Sequence, residues 1–155
     1  MDYRAVKSQF RQTGKITLED SRGQVFEWLS PGRYPTGASG IFLIHELYQL
    51  QALVGSFSEV ALDIVEFSPD KVIFHSPPAN GPKDGMNSTG LIKFALIKSP
   101  FWHRLLFELR ETVVLQWVEN TEEAPHSGEQ PFPLQAKGSK AMELHADGKV
   151  KIINA

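Results

Sequence analysis

The chain of 155 residues contains no cysteine. That absence excludes a disulfide frame, a thiolate nucleophile and any cysteine-ligated metal or iron–sulfur site, and it makes the cytosol the expected compartment. Long apolar runs are also missing. No segment approaches the ~18–20 residues needed to cross a bilayer, and the N-terminus is polar, so neither export nor a membrane partner is expected. Charge of one sign is scarce too: 16 basic against 18 acidic residues give a net charge of −2. Nucleic-acid binding would therefore need a local basic patch, and with no dense Lys/Arg run in the sequence, none is expected.

Catalytic signatures are equally absent. Gly85 to Gly90 has the glycine spacing of a phosphate loop, but Leu91-Ile92 stands where the Lys-Ser/Thr pair is required. His45-Glu46-Leu47-Tyr48-Gln49 resembles half of a zincin helix, with Gln49 in place of the second histidine. No Gly-x-Ser-x-Gly elbow occurs, and the carboxylates are scattered rather than paired in apolar surroundings. The chain is expected not to be an enzyme.

What is present is the mix of one globular domain over 1–155, with 41% apolar and 22% charged residues. The N-terminal stretch from Met1 to Gln12 reads as a short helix with Val6 and Phe10 on one face. Lys15 to Glu19 and Gln24 to Leu29 alternate around Ser21-Arg22-Gly23, which predicts a β-hairpin. Pro31 to Gly37 interrupts regular structure. Ser39 then caps an expected helix from Gly40 to about Val54, with Leu43, Leu47, Leu50 and Val54 on one stripe. Strands are expected at Val60 to Phe67, Lys71 to Ser76 and Leu91 to Lys98, followed by a hairpin of Arg104 to Arg110 with Thr112 to Glu119. Pro69-Asp70 predicts a tight turn. Residues 77–90 read as a long loop, and 120–133 as a flexible connection. Asp147-Gly148 predicts a type I′ turn in a C-terminal hairpin within 140–155.

Five histidines are available as haem-iron or transition-metal ligands. His75 ends an apolar strand beside Pro77-Pro78, and His103 follows Phe101-Trp102 at a second corner. A cofactor site needs apolar walls with one or two placed ligating groups, and these positions fit that description best. His126 and His145 lie in weaker settings, and Tyr34 and Tyr48 offer phenolates.

Several of these pieces together carry a resemblance. Phe57-Ser58-Glu59-Val60, the run to Phe67, Ser68-Pro69-Asp70-Lys71-Val72-Ile73-Phe74 and Ser76-Pro77-Pro78 are similar to the central part of the HutX/ChuX family of intracellular haem-utilisation carriers. Gly90-Leu91-Ile92-Lys93 resembles that family's Gly-His-Ile-Lys, and Ser99 to Arg104 its Arg-Pro-Phe corner. The resemblance implies an α+β fold, an antiparallel split sheet with one or two packed helices, homodimerisation, and carriage or storage of haem or a related tetrapyrrole. On that reading His75 or His103 ligates iron, Phe101 and Trp102 wall the ring, and Lys93 and Arg104 meet the propionates. The chain departs from the family where Glu66-Phe67 and Leu91 stand in place of histidines. An alternative expectation is a non-enzymatic dimeric assembly module that keeps the fold without haem and uses its sheet edges for partners. An enzyme acting on tetrapyrroles or flavins is a third possibility, for which no catalytic constellation is visible.

Overall fold

The structure, a computed structural model, describes residues 1–34, 40–79, 90–119 and 123–154. Four helices and nine strands are found among them: α1 (Tyr3–Thr13), β1 (Lys15–Glu19), β2 (Val25–Leu29), β3 (Ile41–Ile44), α2 (Leu50–Val54), α3 (Glu59–Phe67), β4 (Val72–Ser76), β5 (Ile92–Leu96), α4 (Pro100–Leu109), β6 (Val113–Trp117), β7 (His126–Ser127), β8 (Lys140–Leu144) and β9 (Val150–Asn154). A 3₁₀ turn, Leu47–Gln49, precedes α2. The strands form one mixed sheet in the order β7-β1-β2-β6-β3-β5-β4-β8-β9.

Several expected elements form as read. The Asp2 side chain caps α1 through Ala5 N, and Val6 and Phe10 are its buried residues. Gly14 closes α1 at φ 75°, the left-handed conformation a helix end favours in glycine. The hairpins β1–β2 and β8–β9 pair antiparallel, the second around Asp147-Gly148. The connection 120–133 is described from residue 123 onward, where β7 pairs with β1 and Phe132 is fully buried.

The antiparallel split sheet is not what the chain builds. Strand β3 runs parallel to β5, and β4 parallel to β8. The expected strand at Val60 to Phe67 is the helix α3, capped by Ser58 Oγ accepting from Ala61 N at 3.2 Å, with Ala61 and Val65 one turn apart in the core. Its β-branched composition suits a strand, but a short apolar run is ambiguous, and here the cap and the need to cover the sheet decide. The expected strand at Arg104 to Arg110 belongs to α4. Ser99 and Pro100 start that helix, and Trp102, Leu105, Leu106 and Leu109 fall at i, i+3, i+4 and i+7 on its buried face. Conversely, the expected helix over Gly40 to Val54 is split. Ile41–Ile44 is a fully buried strand, and its four consecutive apolar residues suit a position between β6 and β5 with both faces covered.

Cross-strand register separates two cores. One row runs Leu29, Val114, Phe42, Phe94, Phe74, Met142 across six strands. Phe42, Phe94 and Phe74 from this row pack under Leu50, Leu53 and Val54 of α2 and Ala61 and Val65 of α3. The opposite face carries Phe26, Trp28, Ala95 and Leu115 under α1 and α4. There Phe26 stacks on Phe132 at 4.5 Å between centroids, and Trp102 meets both Phe26 and Phe132 edge-on. Helices on both faces of a mixed sheet make a three-layer α/β/α arrangement.

Candidate functional site

The parallel neighbours β3 and β5 send their following connections to opposite faces. After β3 the chain enters α2 and α3, which pack on one core, and after β5 it enters α4, which packs on the other. Adjacent parallel strands that diverge in this way leave a crevice outside their carboxyl ends, the usual place for a ligand in an α/β sheet. A crevice of about 660 Å³ opens there, lined by His45, Glu46 and Tyr48 after β3, by Leu96 at the end of β5, Lys98 in the following connection, Pro100 and His103 in the first turn of α4, and by Glu66 of α3. A second lobe of about 410 Å³ shares His45 and Tyr48 and adds Phe107, Arg110, Glu111 and Thr112. An apolar recess of about 220 Å³, lined by Phe42, Ile44 and Leu53 among others, shares Tyr48 and Thr112 with that lobe.

Side-chain hydrogen bonds hold the walls in place. Gln49 Oε1 accepts from His45 N at 2.8 Å and Glu46 N at 3.0 Å, which fixes the turn leaving β3. Asp70 Oδ2 accepts from Ser99 N at 3.0 Å and from the Ser99 hydroxyl, which fixes the entry into α4. Lys98 Nζ donates to the carbonyls of Glu66 and Ser68 at the end of α3, satisfying acceptors that a helix terminus leaves open. A site held by packed elements and their hydrogen bonds needs little reorganisation to bind.

Two imidazoles meet at the centre. The rings of His45 and His103 are 5.5 Å apart and nearly perpendicular at 84°. His103 Nε2 lies 3.1 Å from the His45 carbonyl oxygen and 3.7 Å from Glu46 Oε1. A carbonyl only accepts, so Nε2 carries a proton and donates it to the His45 carbonyl. Burial, reinforced by the neighbouring His103, holds the His45 pKa below its ordinary 6.5, against the opposing pull of Glu46. His45 is therefore neutral at pH 7.

The residues expected around a tetrapyrrole are dispersed. Trp102 is fully buried in the aromatic core and donates Nε1 to Pro131 O at 3.0 Å, while Phe101 packs against that core. Arg104 projects from the α1 side of α4, its guanidinium 4.8 Å from the Tyr3 ring centroid. His75 and Lys93 are cross-strand partners on β4 and β5, and Glu143 of β8 lies beside His75. Burial, aided by Lys93, lowers the His75 pKa, and burial lowers that of Lys93. Of the expected set, only His103 lines the crevice. Residues 80–89 of the expected long loop lie outside the described residues, and no group of three His, Asp or Glu residues able to hold a metal occurs among the described ones. His45 and Glu46, first noticed as part of an incomplete zincin helix, prove to be strand-end residues. The sequence signal that would have found the crevice is the helical spacing after Ser99-Pro100, which moves His103 to the mouth of β5.

No known family profile and no curated protein matches the chain. Solved structures share its fold. E. coli YciO superposes with a TM-score of 0.71 at 13% identity, covering 98% of this chain and 87% of that one. P. abyssi Sua5 complexed with L-threonine gives 0.67 at 10% identity, covering 97% of this chain, which spans only 53% of Sua5. Full-length HypF in its phosphate- and nucleotide-bound form gives 0.58 at 12% identity over 98% of this chain and 28% of HypF. This likeness overturns the expected kinship with the HutX/ChuX haem-utilisation carriers, and with it the haem-carriage reading and its alternative of a module keeping that fold. Of the matched segments, the run to Phe67 folds as helix α3 rather than as a strand and Ser99 to Arg104 opens helix α4, while those at Val72 to Ser76 and Ile92-Lys93 are strands as expected. Among the described residues, no helix is long and apolar enough to cross a membrane.

Proposed function

We propose that this domain binds a small zwitterionic metabolite of the α-amino-acid class in the crevice at the carboxyl ends of β3 and β5, and that it binds without performing chemistry on it. The observation that carries this reading is the convergence of both charge signs with an apolar recess. Lys98 and Arg110 offer donors to a carboxylate, Glu46, Glu66 and Glu111 offer acceptors to an ammonium group, and Phe42, Ile44 and Leu53 line a space of side-chain size. A polyphosphate would meet three carboxylates in the same crevice. The L-threonine complex of Sua5, a structure of the same fold, supports the ligand class. Binding rather than catalysis is favoured because His103 commits Nε2 to a backbone carbonyl, and neither imidazole is hydrogen-bonded to a serine or threonine hydroxyl among the described residues.

Calorimetric titration of the full chain with L-threonine and a panel of other L-amino acids tests the reading. Saturable one-to-one binding is expected for at least one of them, weakened about tenfold or more by Glu46→Gln, the loss of one charge-assisted contact. Absence of saturable binding across the panel, or binding only by nucleotides, overturns it.

A further inference from the structure

The groove between α1 and α4 lies apart from the crevice and has a different character. Arg4, Lys7 and Arg11 stand three and four residues apart on α1, so they form a row about 10 Å long on one helix face. Arg104 enters from α4 across the groove, its guanidinium set over the Tyr3 ring. The groove is open to solvent and holds about 510 Å³, the size of a small-molecule site. Four cations less the single carboxylate, Glu108, leave a local charge of +3 on a chain whose net charge is −2. Glu108 is paired to Lys7 at 3.5 Å, whereas Arg4, Arg11 and Arg104 are exposed and make no ion pair among the described residues. These like charges repel one another. The Tyr3 contact gives Arg104 a structural role and the last turn of α1 gives Arg11 one, but neither accounts for Arg4 or for the gathering of all four around one groove.

We propose that this groove binds a compact, soluble ligand carrying two or more adjacent phosphates. Guanidinium groups present planar forks of N–H donors that match phosphate oxygens, and stacking on Tyr3 orients the Arg104 fork. The row on α1 repeats at about one turn, so successive cations meet successive phosphates rather than converging on one. Two features select a compact ligand over a polymer or a bilayer. A nucleic acid extending beyond the groove would run over the surface of a chain that is acidic overall, and no exposed large apolar residue lines the groove to enter a membrane. The amino-acid crevice plays no part in this site, so either assignment can fail alone.

Titration of the full chain with tripolyphosphate, followed by calorimetry at physiological salt, tests the proposal. Single-site binding is expected, about tenfold or more tighter than for orthophosphate and weakened by a similar factor in the Arg4→Gln/Arg104→Gln double variant. Both side chains are exposed, so the variant keeps the fold, and an unchanged melting temperature verifies that. Glu46→Gln in the crevice leaves tripolyphosphate binding unchanged. Undetectable binding, equal affinity in the double variant, or no preference over orthophosphate overturns the proposal. Tighter binding of a single-stranded RNA oligonucleotide or of vesicles bearing phosphorylated headgroups than of tripolyphosphate also overturns it, in favour of that surface.

Discussion

Trp102 and His103 are neighbours on α4, yet they belong to different regions of the molecule. Trp102 has no exposed surface, packs edge-on against Phe26 and Phe132, and spends its one polar atom on Pro131 O. His103, half a helix face away, looks into the crevice, where its partners are a backbone carbonyl, Glu46 and the His45 ring. The first region is defined by close packing and tolerates no change of volume. The second is defined by polar groups arranged around space, and the fold does not depend on filling it. A helix with one face of each kind couples the site to the core: the aromatic cluster sets where α4 lies, and so where His103 meets the carboxyl end of β3.

Truncation separates the two regions most sharply. Trp102→Ala is expected to lose about 3–5 kcal/mol of stability through transfer and cavity costs. His103→Ala is expected to lose about 1 kcal/mol or less, the worth of one partly exposed hydrogen bond. Urea unfolding midpoints measure both, and similar losses in the two variants would erase the distinction. Overfilling tests the same core from the other side. A Cβ placed on Gly128 would come 2.6 Å from Trp102 Cζ2 and 3.0 Å from Phe101 Cε1, closer than packed atoms approach. Gly128→Ala should therefore cost about 1–3 kcal/mol, and an unchanged melting temperature would show that this contact is not tight.

Acid is the gentlest probe. His45 and His75 both have folded pKa values held below 6.5, chiefly by burial. The unfolded chain then takes up protons before the folded one, so their contribution is intact above pH 6.5 and is lost as pH falls through the folded values. The slope is at most about 1.4 kcal/mol per pH unit for each group. Thermal melts across this range should show a decline that His45→Gln makes shallower. A decline identical in the variant would mean that His45 is not held neutral by burial.

Much of the fold was legible wherever local pattern and tertiary need agree. The β1–β2 alternation, the Asp147-Gly148 turn and the Val6/Phe10 face of α1 all announce themselves within a few residues. It was illegible where an apolar run admits two readings. Val60 to Phe67 has strand composition and a helical cap at Ser58, and Ile41 to Ile44 continues into Leu47, Leu50 and Val54 at spacings that imitate one long helix. The site was harder still. His103 drew attention as a ligand beside an aromatic corner, but its partner at His45 lies 58 residues away. Their meeting follows from the parallel β3–β5 pairing, which nothing local encodes. Arg4, Lys7, Arg11 and Arg104 form no basic run in sequence, and only helix periodicity and the α1–α4 contact assemble them.

Nuclear magnetic resonance mapping during titration with L-threonine, or with the amino acid of the panel that binds best, tests the central claim most directly. The account expects saturable shifts of the His45 and His103 imidazoles and of the Ile44 and Leu96 amides, with the Trp102 indole N–H unmoved. Saturable shifts confined to residues outside the crevice, or none at these positions, would contradict it.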